Sequence, residues 1–146
     1  MSNKENKREM TPEQLNDIGV GHFPGYLGIQ ITRVGNSEVA ARMAILPHHL
    51  APNGFLHAGS VVTLADTACG YACRVNLPDG ADNFTTIELK SNHLGTARDG
   101  AIEVVAKPAH LGRTTQVWDA VVTNAANGKT IAIFRCTQMI LYPKLN

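Results

Sequence analysis

With 146 residues, 44% of them apolar and 17% charged, the chain has the size and composition of one globular domain with a sizeable core, and a disordered segment is excluded for most of it. A net charge of +1 excludes a polybasic surface for nucleic acid or membrane. Three cysteines, an odd number, argue against a disulfide framework and for a reducing compartment. No stretch reads as a signal peptide or a membrane span, so a cytoplasmic location is expected.

Residues 1–10 read as a solvated tail, and 11–146 as a single domain. Thr11-Pro12-Glu13-Gln14 is a capping box with proline at the first helical position, opening a short helix that should stop by Gly19 or Gly21. Residues 28–34 alternate like a strand, Gly35-Asn36 turns, and 37–46 return as the hairpin partner. Residues 47–52 form a loop. His48-His49 lies there without metal-binding partners at a recognised spacing, and it reads as loop. A long helix begins near His57 and fades by about Asn76, before the Pro78-Asp79-Gly80 turn. Residues 84–94, 102–111, 114–123 and 130–141 then read as four strands, joined through Asp99-Gly100, Gly112-Arg113 and Asn127-Gly128. Such short connections predict a meander in which each strand pairs with its sequence neighbour.

The long helix organises the rest. From Ala58 to Cys73 every residue is apolar, small or uncharged except Asp66, so the helix should be buried all round. With one buried helix and no second long one, the simplest α+β architecture is an antiparallel sheet curled around it. Cys69 and Cys73 share a face of this helix and read as small core residues. Asp66 is a carboxylate near the middle of the buried helix, with no lysine or arginine one turn away. An uncompensated ion there costs several kcal/mol (roughly, after relaxation), so the residue needs a reason. Asn53, His57 and Asp66 are the polar groups around the helix. His57 and Asp66 are separated by about 13.5 Å along the axis and roughly half a turn around it, and cannot meet on one chain. Two such helices lying antiparallel across a two-fold axis would bring them together.

The pattern Asn53-Gly54-x-x-His57-x-Gly59-x-x-x-x-Leu64-Ala65-Asp66 resembles the signature of hot-dog-fold acyl-CoA thioesterases of the phenylacetate-degradation (PaaI-like) type. The likeness spans roughly residues 20–141 and includes Leu27-Gly28-Ile29 and Gly112-Arg113-Thr114. The resemblance implies the hot-dog fold, a homodimer or homotetramer with the site shared between chains, and an acyl-CoA substrate. It implies no cofactor beyond the coenzyme A carried by the substrate. It makes Asp66 the general base or the nucleophile, Ala58 N–H the oxyanion donor at the helix N-terminus, and Asn53 and His57 the groups that position water and carbonyl. Thr86, or Thr85 beside it, matches a family hydroxyl near the carboxylate. Gly59 and Arg113 would contact substrate, Arg113 through the coenzyme A phosphates. One departure is visible: the family often has His-Gly-Gly, and this chain has His57-Ala58-Gly59.

Plainer readings exist for the same residues. His57 could simply cap the helix, Asn53-Gly54 is ordinary turn chemistry, and Asp66 could be a hydrogen-bonded structural residue. Arg113, Lys90 and Arg98 could be solvated. Gly21-His22-Phe23-Pro24-Gly25 looks like the histidine motif of hydroxyacyl-thioester dehydratases of the same fold. Here it precedes the first hairpin instead of leading into the central helix. A dehydratase, or a module that binds acyl-CoA without turning it over, are the alternative functions.

Overall fold

A computed structural model describes residues 9–146; most of the expected tail lies outside the described residues, and Met10 packs against the core. Helix α1 spans Pro12–Gly19 with the anticipated capping box: the Gln14 N–H donates to Thr11 Oγ1 at 3.2 Å and the Thr11 N–H to Gln14 Oε1 at 2.9 Å. A five-residue helix that the sequence reading left out, α2, follows at Phe23–Leu27 and ends on Gly28 in the left-handed region. Strands β1 (Ile29–Gly35) and β2 (Glu38–Ala44) make a hairpin whose two central residues, Asn36 and Ser37, have φ of 53° and 61°. That is the turn whose twist suits a two-residue hairpin loop. Residues Pro47–His49 form one turn of 3-10 helix, and the long helix α3 runs Ala58–Val75.

The remaining strands are β3 (Asn83–His93), β4 (Ala101–Leu111), β5 (Thr115–Asn124) and β6 (Thr130–Leu141). They form one antiparallel six-stranded sheet in the order β1-β2-β4-β5-β6-β3. The expected meander therefore holds only for β4-β5-β6. Strand β2 pairs with β4, and β3 stands at the far edge against β6. Asp99-Gly100 is thus the end of a crossover and not a hairpin turn. Residues 94–100 must cover three strand spacings, about 14 Å, which seven extended residues reach easily. They are tied down on the way: Leu94 and Gly95 donate to the Ile131 carbonyl, and the Ala97 carbonyl accepts the Leu56 N–H at 3.0 Å.

The sheet wraps α3, with Leu64, Ala65, Ala68, Cys69 and Ala72 packed among Trp118, Phe134, Ile102 and Met43. Gly70 allows β3 to close on the helix: a Cβ there would stand 3.4 Å from the Phe84 ring. The helix is not buried all round, however. Val62, Thr63, Asp66, Thr67 and Tyr71 are only half-buried, and Gly59 and Arg74 are exposed. Their spacing of three and four residues makes one stripe along α3 that the sheet of this chain leaves half covered. Beside it, β3 has a free edge, with Ile87 53% and Leu89 44% exposed. Among the described residues no helix is long and apolar enough to cross a membrane.

Candidate active site

A helix N-terminus leaves four amides without intrahelical partners. In α3 these belong to His57, Ala58, Gly59 and Ser60. The loop before it is rigid: the Ala51 N–H donates to the Phe55 carbonyl (2.7 Å), the Gly54 N–H to the Ala51 carbonyl (2.9 Å), and Leu50 bridges Leu56. Gly54, at φ +85°, turns the chain where a side chain would be strained. Asn53 Oδ1 accepts the Phe55 N–H at 3.1 Å, so its carbonyl oxygen is held and its side-chain NH₂ stays free to donate.

His57 is the N-cap. Its own N–H donates to the His49 carbonyl at 3.0 Å, its Nδ1 accepts the Gly59 N–H at 2.8 Å, and its carbonyl accepts the Ser60 N–H at 3.0 Å. With Nδ1 accepting, the neutral ring carries its proton on Nε2. Gly59 is matched to this arrangement, because a Cβ there would lie 2.9 Å from His57 Nδ1. Three of the four amides are therefore engaged. Among the described residues the Ala58 N–H alone has no acceptor, and it stands at the positive end of the helix dipole.

Asp66 lies two turns further on, in the half-covered stripe. Its Oδ1 is buried with no hydrogen-bond partner, and no ion pair among the described residues includes it. Burial holds its carboxyl above the usual carboxylate range. One turn along, Cys69 is no competing nucleophile: its hydrogen bond with Cys136, with burial added, pushes the thiol far up. Burial likewise pushes Cys73 up to about 12.

The choice between the two threonines is decided by register. Thr86 pairs with the buried Gln138 and faces the helix, whereas Thr85 pairs with Met139 on the outer face. The Thr86 hydroxyl donates to Gln138 Oε1 at 2.7 Å, which leaves its oxygen free only to accept. Gln138 in turn donates to Cys136 Sγ at 3.4 Å. Neighbouring Gln116, also buried, accepts the Trp118 Nε1–H at 2.9 Å and donates to the Asn76 carbonyl at 2.8 Å, closing the C-terminus of α3. Neither glutamine was singled out by the sequence reading. The available signal was a glutamine at an inward position of a strand.

Within one chain the expected site residues fall into separate groups. Asn53, His57, Ala58 and Gly59 gather at the N-terminus of α3. Asp66 lies midway along it, and Thr86 lies on the helix-facing side of the edge strand β3. Arg113 lies at neither place. It follows Gly112, which lines a cleft with Val75 and Asn76 at the opposite end of α3, and its guanidinium rests over the Tyr142 ring at 5.4 Å. The cation beside the N-terminal loop is Arg98, stacked over the Phe55 ring at 4.1 Å. His22 caps the short α2 without a side-chain hydrogen bond and does not lead into α3.

A long helix wrapped by one six-stranded antiparallel sheet is the architecture of the hot-dog fold. The chain belongs to the thioesterase superfamily, whose profile matches residues 53–131. It is a thioester hydrolase. It is 33% identical over 138 residues to the 1,4-dihydroxy-2-naphthoyl-CoA hydrolase of Escherichia coli, covering 92% of this chain and 98% of that one. The crystal structure of thioesterase HI1161 from Haemophilus influenzae superposes with a TM-score of 0.87 at 29% identity, covering 93% and 94% of the two chains. The E. coli PaaI protein of the phenylacetic acid degradation operon gives 0.74 at 25% identity over 84% and 86%.

Proposed function

We propose that this enzyme hydrolyses acyl-CoA thioesters at a site built jointly by two chains, with Asp66 and Thr86 from one and Asn53, His57, Ala58 and Gly59 from the other. The observation that carries the reading is Asp66: a buried carboxylate oxygen, unpartnered among the described residues, on the stripe of α3 that this chain leaves half covered. A second α3 running antiparallel would cover the stripe and bring a free Ala58 amide toward that oxygen. The exposed edge of β3 is a template on which a second β3 can pair, extending the sheet across the dimer.

The chemistry follows from the hydrogen bonds already in place. Asp66 takes a proton from water, the water oxygen attacks the thioester carbon, and the C–S bond breaks as the coenzyme A sulfur leaves and is protonated. The developing oxyanion accepts from the Ala58 N–H, with the helix dipole behind it. The Asn53 NH₂ and the His57 Nε2–H are the remaining donors for carbonyl and water, and Thr86 Oγ1 accepts a hydrogen bond from the water without taking its proton. Direct attack by Asp66, giving a mixed anhydride that water then opens, uses the same groups. In a single turnover in ¹⁸O water the base route labels only the product acid, whereas an anhydride opened at the Asp66 carbonyl labels Asp66 instead, so label in Asp66 identifies the second route.

A hydrolysis panel of aromatic and aliphatic acyl-CoA substrates with the purified protein tests the proposal. Steady turnover of at least one class is expected. Binding of acyl-CoA without release of free thiol would leave a binding module in its place. Hydration of an enoyl thioester would point to the dehydratase.

A further inference from the structure

The active-site loop is held from behind by a residue that the mechanism above does not use. His49 is 0% exposed. Its Nδ1 accepts the Leu46 N–H at 3.0 Å while its own N–H donates to the Leu46 carbonyl at 2.9 Å, so ring and backbone together close the 3-10 turn. The carbonyl of the same residue accepts twice from the start of α3, from the His57 N–H at 3.0 Å and from Ser60 Oγ at 2.8 Å. Both bonds flank Ala58, whose amide is the free donor of the site. His48 packs edge to face on the ring at 4.4 Å between centroids, and among the described residues Nε2 is buried without a well-formed hydrogen bond.

We propose that His49 is a positioning residue for thioester hydrolysis: its buried ring fixes the carbonyl that anchors His57 and Ser60, and so sets the direction of the Ala58 amide. The inference rests on the thioesterase reading. The ring acts in its neutral form, since Nδ1 must accept. Burial, with the nearby His48, keeps its pKa below the usual imidazole range, while the Leu27 and Ala44 backbone groups act the other way and more weakly. A buried Nε2–H with the Leu27 and Ala44 backbone groups nearby but no well-formed hydrogen bond is a cost that an apolar residue of similar size would not carry. The acceptor at Nδ1 is what the loop gains from a histidine here. The anchor also explains how a loop rich in small and turn-forming residues can hold a donor in place: an error of about 1 Å in such a donor costs on the order of 10²-fold.

Three variants of the full chain test it. His49→Leu keeps the volume and removes the acceptor, His49→Asn restores an acceptor at the Nδ1 position, and Ser60→Ala deletes one of the two bonds to the His49 carbonyl. With a substrate the wild type turns over, His49→Leu should lose roughly 10- to 100-fold in kcat with KM within about twofold, because a donor to the oxyanion acts on the transition state. His49→Asn should recover most of that loss, and Ser60→Ala should fall between the two. A folded His49→Leu with wild-type kcat, a loss confined to KM, or an Asn variant no better than Leu at equal thermal stability overturns the proposal. If His49→Leu does not fold, Ser60→Ala decides by the same split between kcat and KM. Amide exchange supplies an arm that needs no substrate. The His57 amide should exchange at least about tenfold faster in His49→Asn than in the wild type if the ring is only a space filler, and at a similar rate if the acceptor is what matters. Failure of the wild type to hydrolyse any thioester would sink the functional reading alone, and this exchange result would still decide the role of His49.

Discussion

Asp66 carries two opposed demands, and one substitution separates them. Asp66→Asn keeps size and hydrogen-bonding groups but removes the base or nucleophile, so turnover should fall on the order of 10²–10⁴-fold. The thermal midpoint should hold or rise, because the charge now held in a buried position without a partner is gone. The pH dependence follows from the direction of the shift. Burial raises the folded-state pKa of Asp66 above its unfolded value, so the folded protein binds the proton more readily. Its contribution to stability is greatest where both states are protonated and is lost as pH rises through the folded pKa. The gain in midpoint from Asn should therefore appear at neutral pH and vanish in acid. Activity needs the ionised form and should decline, on lowering the pH, from a point above the ordinary carboxylate range. A structural hydrogen-bond hub would respond the other way, with a lower midpoint in the Asn variant.

At the scale of elements, α3 is held at both ends by buried acceptors and donors from other parts of the chain. At the N-terminus the anchor is the His49 carbonyl, and at the C-terminus it is the Gln116 side chain. Gln116→Ala would strand the Trp118 Nε1–H and the Asn76 carbonyl together. At about 1–3 kcal/mol for the buried Trp118 Nε1–H and less for the half-buried Asn76 carbonyl, which lines a cleft, denaturant unfolding should register a loss of roughly 2–4 kcal/mol. A loss below about 1 kcal/mol would mean that water replaces the amide there. The strand elements were recognised by alternation, yet their order was not. Strand β3 is more polar and exposed than β4, yet nothing in its pattern names its partner, and the Asp99-Gly100 dipeptide that suggests a hairpin ends a crossover instead. Local turn chemistry cannot distinguish a return from a crossing, because both need a residue at positive φ, here Gly100 at +78°.

For the whole molecule, the separation of the two halves of the site is the prediction with most at stake. Asn53→Ala and Asp66→Ala variants should each be nearly inactive. If their chains exchange after mixing, a heterodimer holds one site with both lesions and one with neither, so about half of its sites are intact and activity should partly return. Demonstrated exchange without any recovery would place both residues in the same chain's site. An active monomer in sedimentation would end the shared-site argument outright.

The helix and its company are legible along the chain: the apolar run from Ala58 to Cys73, the single carboxylate within it, the capping box at Thr11 and the Asn53 to Asp66 pattern that marks the family. These are local in the chain, and each has a local physical cause, whether periodicity, a cap or a charge with no neighbour to offset it. The roles of His57 and Asn53 as cap and turn were legible too, because those contacts join residues two apart. Long-range pairing and packing put β3 beside β6, turn Thr86 and not Thr85 toward the helix, place Arg113 at the far end of α3 from Ala58, and leave one stripe of the helix half covered. They also give His49 and Gln116 their positions, since their partners include residues 11 and 40 positions away. The physical reason is the same in each case. A strand's face is fixed by its register with a distant partner, and a one-residue shift exchanges the two faces without changing any local propensity.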